Sequence, residues 1–145
     1  MREILFRGKN KDRGWIYGDL RNYEKSGAKA IFSHELLHRV EVAPSTVGQF
    51  TGLTDKNGKK IFEGDSGRYK QTDGVKRNGS PITCIGKVIY NTKTASYAVE
   101  SKDKAGCKYF DYFPIKDFEV IGNIHDNPEL LEDQQHKPFP DGDCK

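Results

Sequence analysis

Turn-forming residues recur along this chain at roughly ten-residue intervals, a spacing that limits each regular element to a short strand. Fifteen glycines and six prolines are spread through the 145 residues. Between them no stretch carries the sustained 3.6-residue apolar period of a packed helix. Val, Ile, Thr, Phe, Tyr and Trp number 40 against 13 for Ala plus Leu, which excludes a helical bundle. Leu, Ile, Val and Phe supply 32 residues, or 22%, so the core is modest, and the net charge of +3 is low enough to favour folding.

The runs alternate as half-exposed strands do. Segments 3–8 and 15–20 flank Asn10-Lys11-Asp12-Arg13-Gly14 and read as a hairpin. In its second strand Trp15, Tyr17 and Asp19 share one face and Ile16, Gly18 and Leu20 the other. Segments 28–33 and 38–43 are two further strands around a connection at 34–37. Asn57-Gly58, between 47–53 and 61–65, predicts a tight hairpin with a type I′ turn, because that turn needs positive φ at both central residues. Strands are expected at 66–70, 82–90, 95–100, 107–113 and 118–124, and 71–81 is expected as a mobile loop. Asn127-Pro128 opens a helix of one or two turns, with Glu129 and Glu132 near its positive end.

The fold class is therefore all-β: many short antiparallel strands forming a sandwich or partly open barrel, with one short C-terminal helix. A single domain is expected over 1–132, and 133–145, without periodicity, reads as a disordered acidic tail. Residues 1–124 carry 22 Lys/Arg against 15 Asp/Glu, whereas 125–145 carry two against six. No apolar run approaches the roughly 20 residues of a membrane helix, and the N-terminus lacks a signal-peptide core. A soluble, cytoplasmic protein with no membrane partner is expected. Cys84, Cys107 and Cys144 have no C-x-x-C spacing and read as reduced thiols.

Few constellations carry chemistry. His34-Glu35-Leu36-Leu37-His38 matches the H-E-x-x-H zinc pattern, which works only on a helix, where both imidazoles share a face. Its neighbours here are strand-like, so zinc is not expected. Asp55-Lys56-Asn57-Gly58 places glycine too early for a calcium loop. His125-Asp126 stands at a helix entrance, where a capping role is available to Asp126. Phosphate-loop, dinucleotide and serine-hydrolase motifs are absent from the sequence. No catalytic residue, cofactor or metal ligand is assigned, and the chain is read as a non-enzyme. One cluster could touch nucleic acid: Arg7, Lys9, Lys11 and Arg13 beside Trp15 and Tyr17, cations for phosphate and rings for base stacking.

Five segments together resemble one family. They are Ile4-Leu5-Phe6-Arg7-Gly8-Lys9, Trp15-Ile16-Tyr17-Gly18, 46–53, 55–65 and 120–131, the last reading Val-Ile-Gly-Asn-Ile-His-Asp-Asn-Pro-Glu-Leu-Leu. In this order they are similar to the YopX-like proteins of phages and prophages; 22–43 and 66–117 match poorly. The resemblance implies an all-β protein of mobile-element origin in a bacterial host, self-associating or bound to a phage or host protein, with no catalytic residues to carry over. The expected function is a non-enzymatic β binding or assembly module; the alternative is a nucleic-acid-binding small β-barrel.

Overall fold

Eleven strands, a 3₁₀ turn at Pro44–Thr46 and one α-helical turn make up the regular structure of the computed structural model, which describes residues 2–75, 81–102 and 106–132. The strands are β1 (Phe6–Asn10), β2 (Gly14–Asn22), β3 (Lys29–Ser33), β4 (Arg39–Val42), β5 (Gly48–Thr54), β6 (Lys60–Phe62), β7 (Asp65–Val75), β8 (Pro81–Asn91), β9 (Ser96–Lys102), β10 (Lys108–Tyr112) and β11 (Glu119–Asn123). A helix, α1 (Glu129–Glu132), follows. Two antiparallel sheets result, ordered β4-β3-β2-β1-β5-β6 and β10-β9-β8-β7-β11. The all-β class with one short C-terminal helix stands. The chain divides into two compact units at Gly52–Leu53, and the tail at 133–145 lies outside the described residues.

In the first unit the period-two pattern fixes the register. Arg7 faces Tyr17 and Lys9 faces Trp15 across β1 and β2, so one sheet face receives all four, while Ile16 points the other way. That inner face collects Ile16, Ile31, Val40 and Val42, all buried, with Phe6, Leu20 and Val47 against them. Each such side chain contributes about 1.5–3 kcal/mol of burial. Glycine permits the curl of the sheet. A Cβ on Gly18 would lie 1.8 Å from the Phe32 carbonyl oxygen, and one on Gly8 2.7 Å from Val42 Cγ2. The curl brings the end of β4 back to β1, where the Ala43 amide donates to the Lys9 carbonyl at 2.9 Å. The Asn10 side-chain amide donates to the Glu41 carbonyl at 2.7 Å.

The second unit begins with the turn after β5. A hairpin forms there as expected, but Gly58 has positive φ (81°) and Asn57 does not, so the turn is not type I′. The Gly58 amide donates to the Asp55 carbonyl at 3.0 Å and the Asp55 amide to the Lys59 carbonyl at 2.8 Å. This is a type I turn followed by a left-handed glycine. Asp55 selects it: Oδ1 accepts the Asn57 and Lys59 amides, each at 2.9 Å, and Oδ2 accepts the Val120 amide at 3.0 Å. One buried carboxylate thus ties the hairpin to β11.

Around it Ile61, Tyr69, Cys84, Val88, Val99 and Phe118 form the buried core. Phe118 sits over Gly67, whose Cβ would fall 1.9 Å from the ring, and meets Phe113 edge-on at 5.2 Å. The expected loop at 71–81 is corrected at 71–75 and 81, where strand pairing continues to Val75 and resumes at Pro81 after a register shift beyond Gln71; 76–80 lie outside the described residues. Polar composition suggested a loop, yet a ladder needs only backbone groups. Cys107 is disulfide-bonded, while Cys84 remains a thiol, which corrects the expectation that all the thiols are reduced. Spacing reveals only cysteine pairs close in sequence.

Candidate functional site

The outer face of the first unit carries the residues singled out from sequence, but does not use them alike. Arg7 is buried, 5% exposed, with its guanidinium 4.7 Å from the centre of the Trp15 ring. It stacks on that ring and is buried, so the structure does not place it at the surface the sequence reading gave it. Lys9 is half-buried, and its amide donates to Thr46 Oγ1 at 2.8 Å. Lys11 and Arg13 are exposed in and beside the turn, Trp15 is half-buried, and Tyr17 is 44% exposed.

The face extends further than the sequence reading. Asp19 of β2 stands opposite Phe32 of β3, which stands opposite Arg39 of β4. Two grooves lie beside one another here, and this row lines the second. One, about 460 Å³, is lined by Arg13, Trp15, Tyr17, His34 and Leu36 among others. The other, about 750 Å³, is lined by Arg21, Phe32, Leu37, His38 and Arg39 among others. His34 Nε2 and Asp19 Oδ1, 3.0 Å apart, stand between them. Arg39 Nη1 donates to the Tyr23 hydroxyl, 2.5 Å away. Phe32 was missed because Ala30-Ile31-Phe32 is apolar throughout, and such a run does not say which side chain faces water.

The H-E-x-x-H segment lies on this face as a turn. Ser33 accepts the Leu36 amide at its side-chain oxygen (2.9 Å) and the Leu37 amide at its carbonyl (2.8 Å). Leu37 then takes φ = 61°, the left-handed region. No helix brings the two imidazoles together: His34 turns to Asp19, and His38 Nδ1 lies 3.1 Å from its neighbour's carbonyl, that of Arg39. Asp55 is equally unsuited to a cation, since both oxygens already accept backbone amides. Burial pushes its pKa up, but those amides outweigh it and hold the carboxyl below its usual 3.8. Asp126 accepts from the Asn123 side-chain amide at 3.0 Å and is part of a turn.

The second unit holds a buried polar cluster that no sequence pattern announced. The Tyr69 hydroxyl donates to Asp111 and lies 3.3 Å from Ser101 Oγ; the Tyr109 hydroxyl donates to Cys84 Sγ at 3.3 Å. Burial pushes both phenols well above their ordinary range, with Asp111 reinforcing the rise at Tyr69. Burial likewise raises the Cys84 thiol. A nucleophilic cysteine requires the opposite shift. These groups cross-link β7, β8, β9 and β10 and place no activated group at a surface.

Two comparisons bear on identity. No curated protein sequence gives a significant match. The family described as YopX protein matches residues 5–132, a span that holds both sheets and the helical turn. This chain belongs to the YopX protein family.

Proposed function

We propose that the chain is a non-enzymatic β module that acts by binding protein surfaces, its own copies included, through the outer face of β2 and β3. Leu37 carries this reading. It is 72% exposed and left-handed, a conformation that costs an L-residue about 1–2 kcal/mol and that glycine or asparagine would adopt more easily. An apolar side chain held out to water at a cost to the fold fits a contact surface. Phe32, Tyr17 and Leu36, exposed at 41%, 44% and 38%, extend the surface beside it.

A second reading, single-stranded nucleic acid, is favoured by one observation: exposed Lys11, Arg13 and Tyr17 adjoin Trp15 on one hairpin. Phage or prophage origin and a cytoplasmic setting belong with the proposal as its natural context. Light scattering with and without nuclease and high salt separates the readings. A mass above the monomer's that ignores both treatments supports protein binding. Mass and 260 nm absorbance that collapse together support nucleic acid, and a clean monomer at high concentration contradicts self-association.

A further inference from the structure

Three lysines converge on one groove of the second unit, about 240 Å³ in volume and lined by Ile85, Lys87, Glu100, Lys102, Lys108 and Leu131 among others. Register puts them there. Lys87 stands opposite Glu100 across β8 and β9, and Lys102 opposite Lys108 across β9 and β10, so period-two alternation sends all four to one face of the sheet. The core takes Val88 and Val99 from the other face.

Charge on the groove side is not balanced. Glu100 lies 3.2 Å from Lys108 and 4.0 Å from Lys87, so one carboxylate serves two cations. Lys102 is exposed, and among the described residues no carboxylate pairs with it. Like charges directly opposite on a ladder, as Lys102 and Lys108 are, destabilise the strand pair. An anion set between them would relieve that cost.

Two observations identify the anion. Leu131, the penultimate residue of α1, is part of the groove wall, so the chain that follows α1 departs from the groove itself. Cys107, adjoining Lys108, is disulfide-bonded while Cys84 remains a thiol, and the one other cysteine in the sequence is Cys144. Ahead of Cys144 stands Asp141-Gly142-Asp143, which puts both carboxylates within about 11 Å of chain from that cysteine.

We propose that the groove is the docking site of this chain's own segment 133–144, clasped there by a Cys107–Cys144 disulfide, with Asp141 and Asp143 set against Lys102 and Lys108. The segment then begins and ends beside the same lysines. The twelve residues from Asp133 to Cys144 can span roughly 40 Å, ample for a groove of this size. Reduction opens the clasp. A dithiol passes two electrons and two protons to the bond and leaves as a cyclic disulfide, two protein thiols form, and the lysines are uncovered.

The test uses the full chain equilibrated with glutathione disulfide and, in parallel, with dithiothreitol. Each closure converts two protein thiols and one glutathione disulfide into the protein disulfide and two glutathione thiols. Peptide mapping of the oxidised protein should join Cys107 to Cys144 and find Cys84 alkylated. A tethered segment meets its site at high effective concentration, so acetylation by acetic anhydride should run at least about threefold slower at Lys102 and Lys108 in the oxidised protein than in the reduced. Exposed Lys11 of the first unit should be labelled equally in both. Asp141→Asn combined with Asp143→Asn should keep the linkage and lose the protection. Absence of a Cys107–Cys144 link would overturn the proposal outright. Linkage with equal acetylation rates, or protection that survives loss of both carboxylates, would overturn the docking of the acidic segment on the lysines.

Discussion

In the first unit Tyr17, Phe32, Leu36 and Leu37 stand outside a small aliphatic core, and the most polar buried group, Arg7, supports Trp15 from within. In the second, Tyr69 and Tyr109 turn inward and their hydroxyls are tied to Asp111 and Cys84. In the first unit Asn10 and Lys9 meet outward groups of β4, while in the second, among the described residues, no strand pairs the outer edge of β10. A small sheet cannot bury every aromatic residue it carries. Where rings turn inward their hydroxyls need partners, and where they stay outside they make a surface. The difference is why the binding role proposed above is placed on the outer face of the first unit.

The largest effect is expected where the first unit's curl is tightest. Gly18→Ala sets a methyl against a backbone carbonyl and should cost about 4 kcal/mol or more, whereas Gly14→Ala, with open space and only positive φ to oppose it, should cost about 1 kcal/mol. Denaturant titration of both variants decides whether close approach or dihedral freedom dominates.

Asp55→Ala comes next. It strips three backbone amides of one buried acceptor and should cost about 3 kcal/mol. The carboxyl's folded pKa lies below its ordinary 3.8, so its stabilisation is present above that value and fades as pH falls through the folded one. Acid titration of stability should therefore be flatter below about pH 4 in Asp55→Asn than in the wild type.

Tyr69→Phe removes the hydroxyl that Asp111 accepts and should cost about 1.5 kcal/mol. If its melting is unchanged, the inward network is not what organises the second unit. Smallest in stability is Leu37→Gly, which relieves the left-handed leucine and should gain about 1 kcal/mol while weakening binding through the outer face. A loss of stability instead would show that Leu37 packs within the first unit.

Much of the fold was legible because turn chemistry and period-two alternation are local. The first hairpin, the β3–β4 pair and Asn127-Pro128 before α1 follow from adjacent residues. The Asn57-Gly58 turn was placed correctly but mistyped, because the dipeptide was read without the Asp55 side chain that accepts the Asn57 and Lys59 amides and, 65 positions away, that of Val120. The site was less legible. Arg7, Lys9, Trp15 and Tyr17 do share a face, as alternation required. Which of them are buried depends on the curl of the sheet, and that depends on contacts such as Gly8 with Val42. Phe32 and Leu37 joined the face through cross-strand register and turn geometry, neither of which is written in their own neighbourhoods.

The most direct test is light scattering of the full chain beside the triple variant Tyr17→Ser, Phe32→Ser, Leu37→Ser, after melting has shown the variant to be folded. The outer-face account predicts a wild-type mass above the monomer's, indifferent to nuclease and salt, and a clear fall in mass for the variant. Equal masses for the two proteins would contradict it.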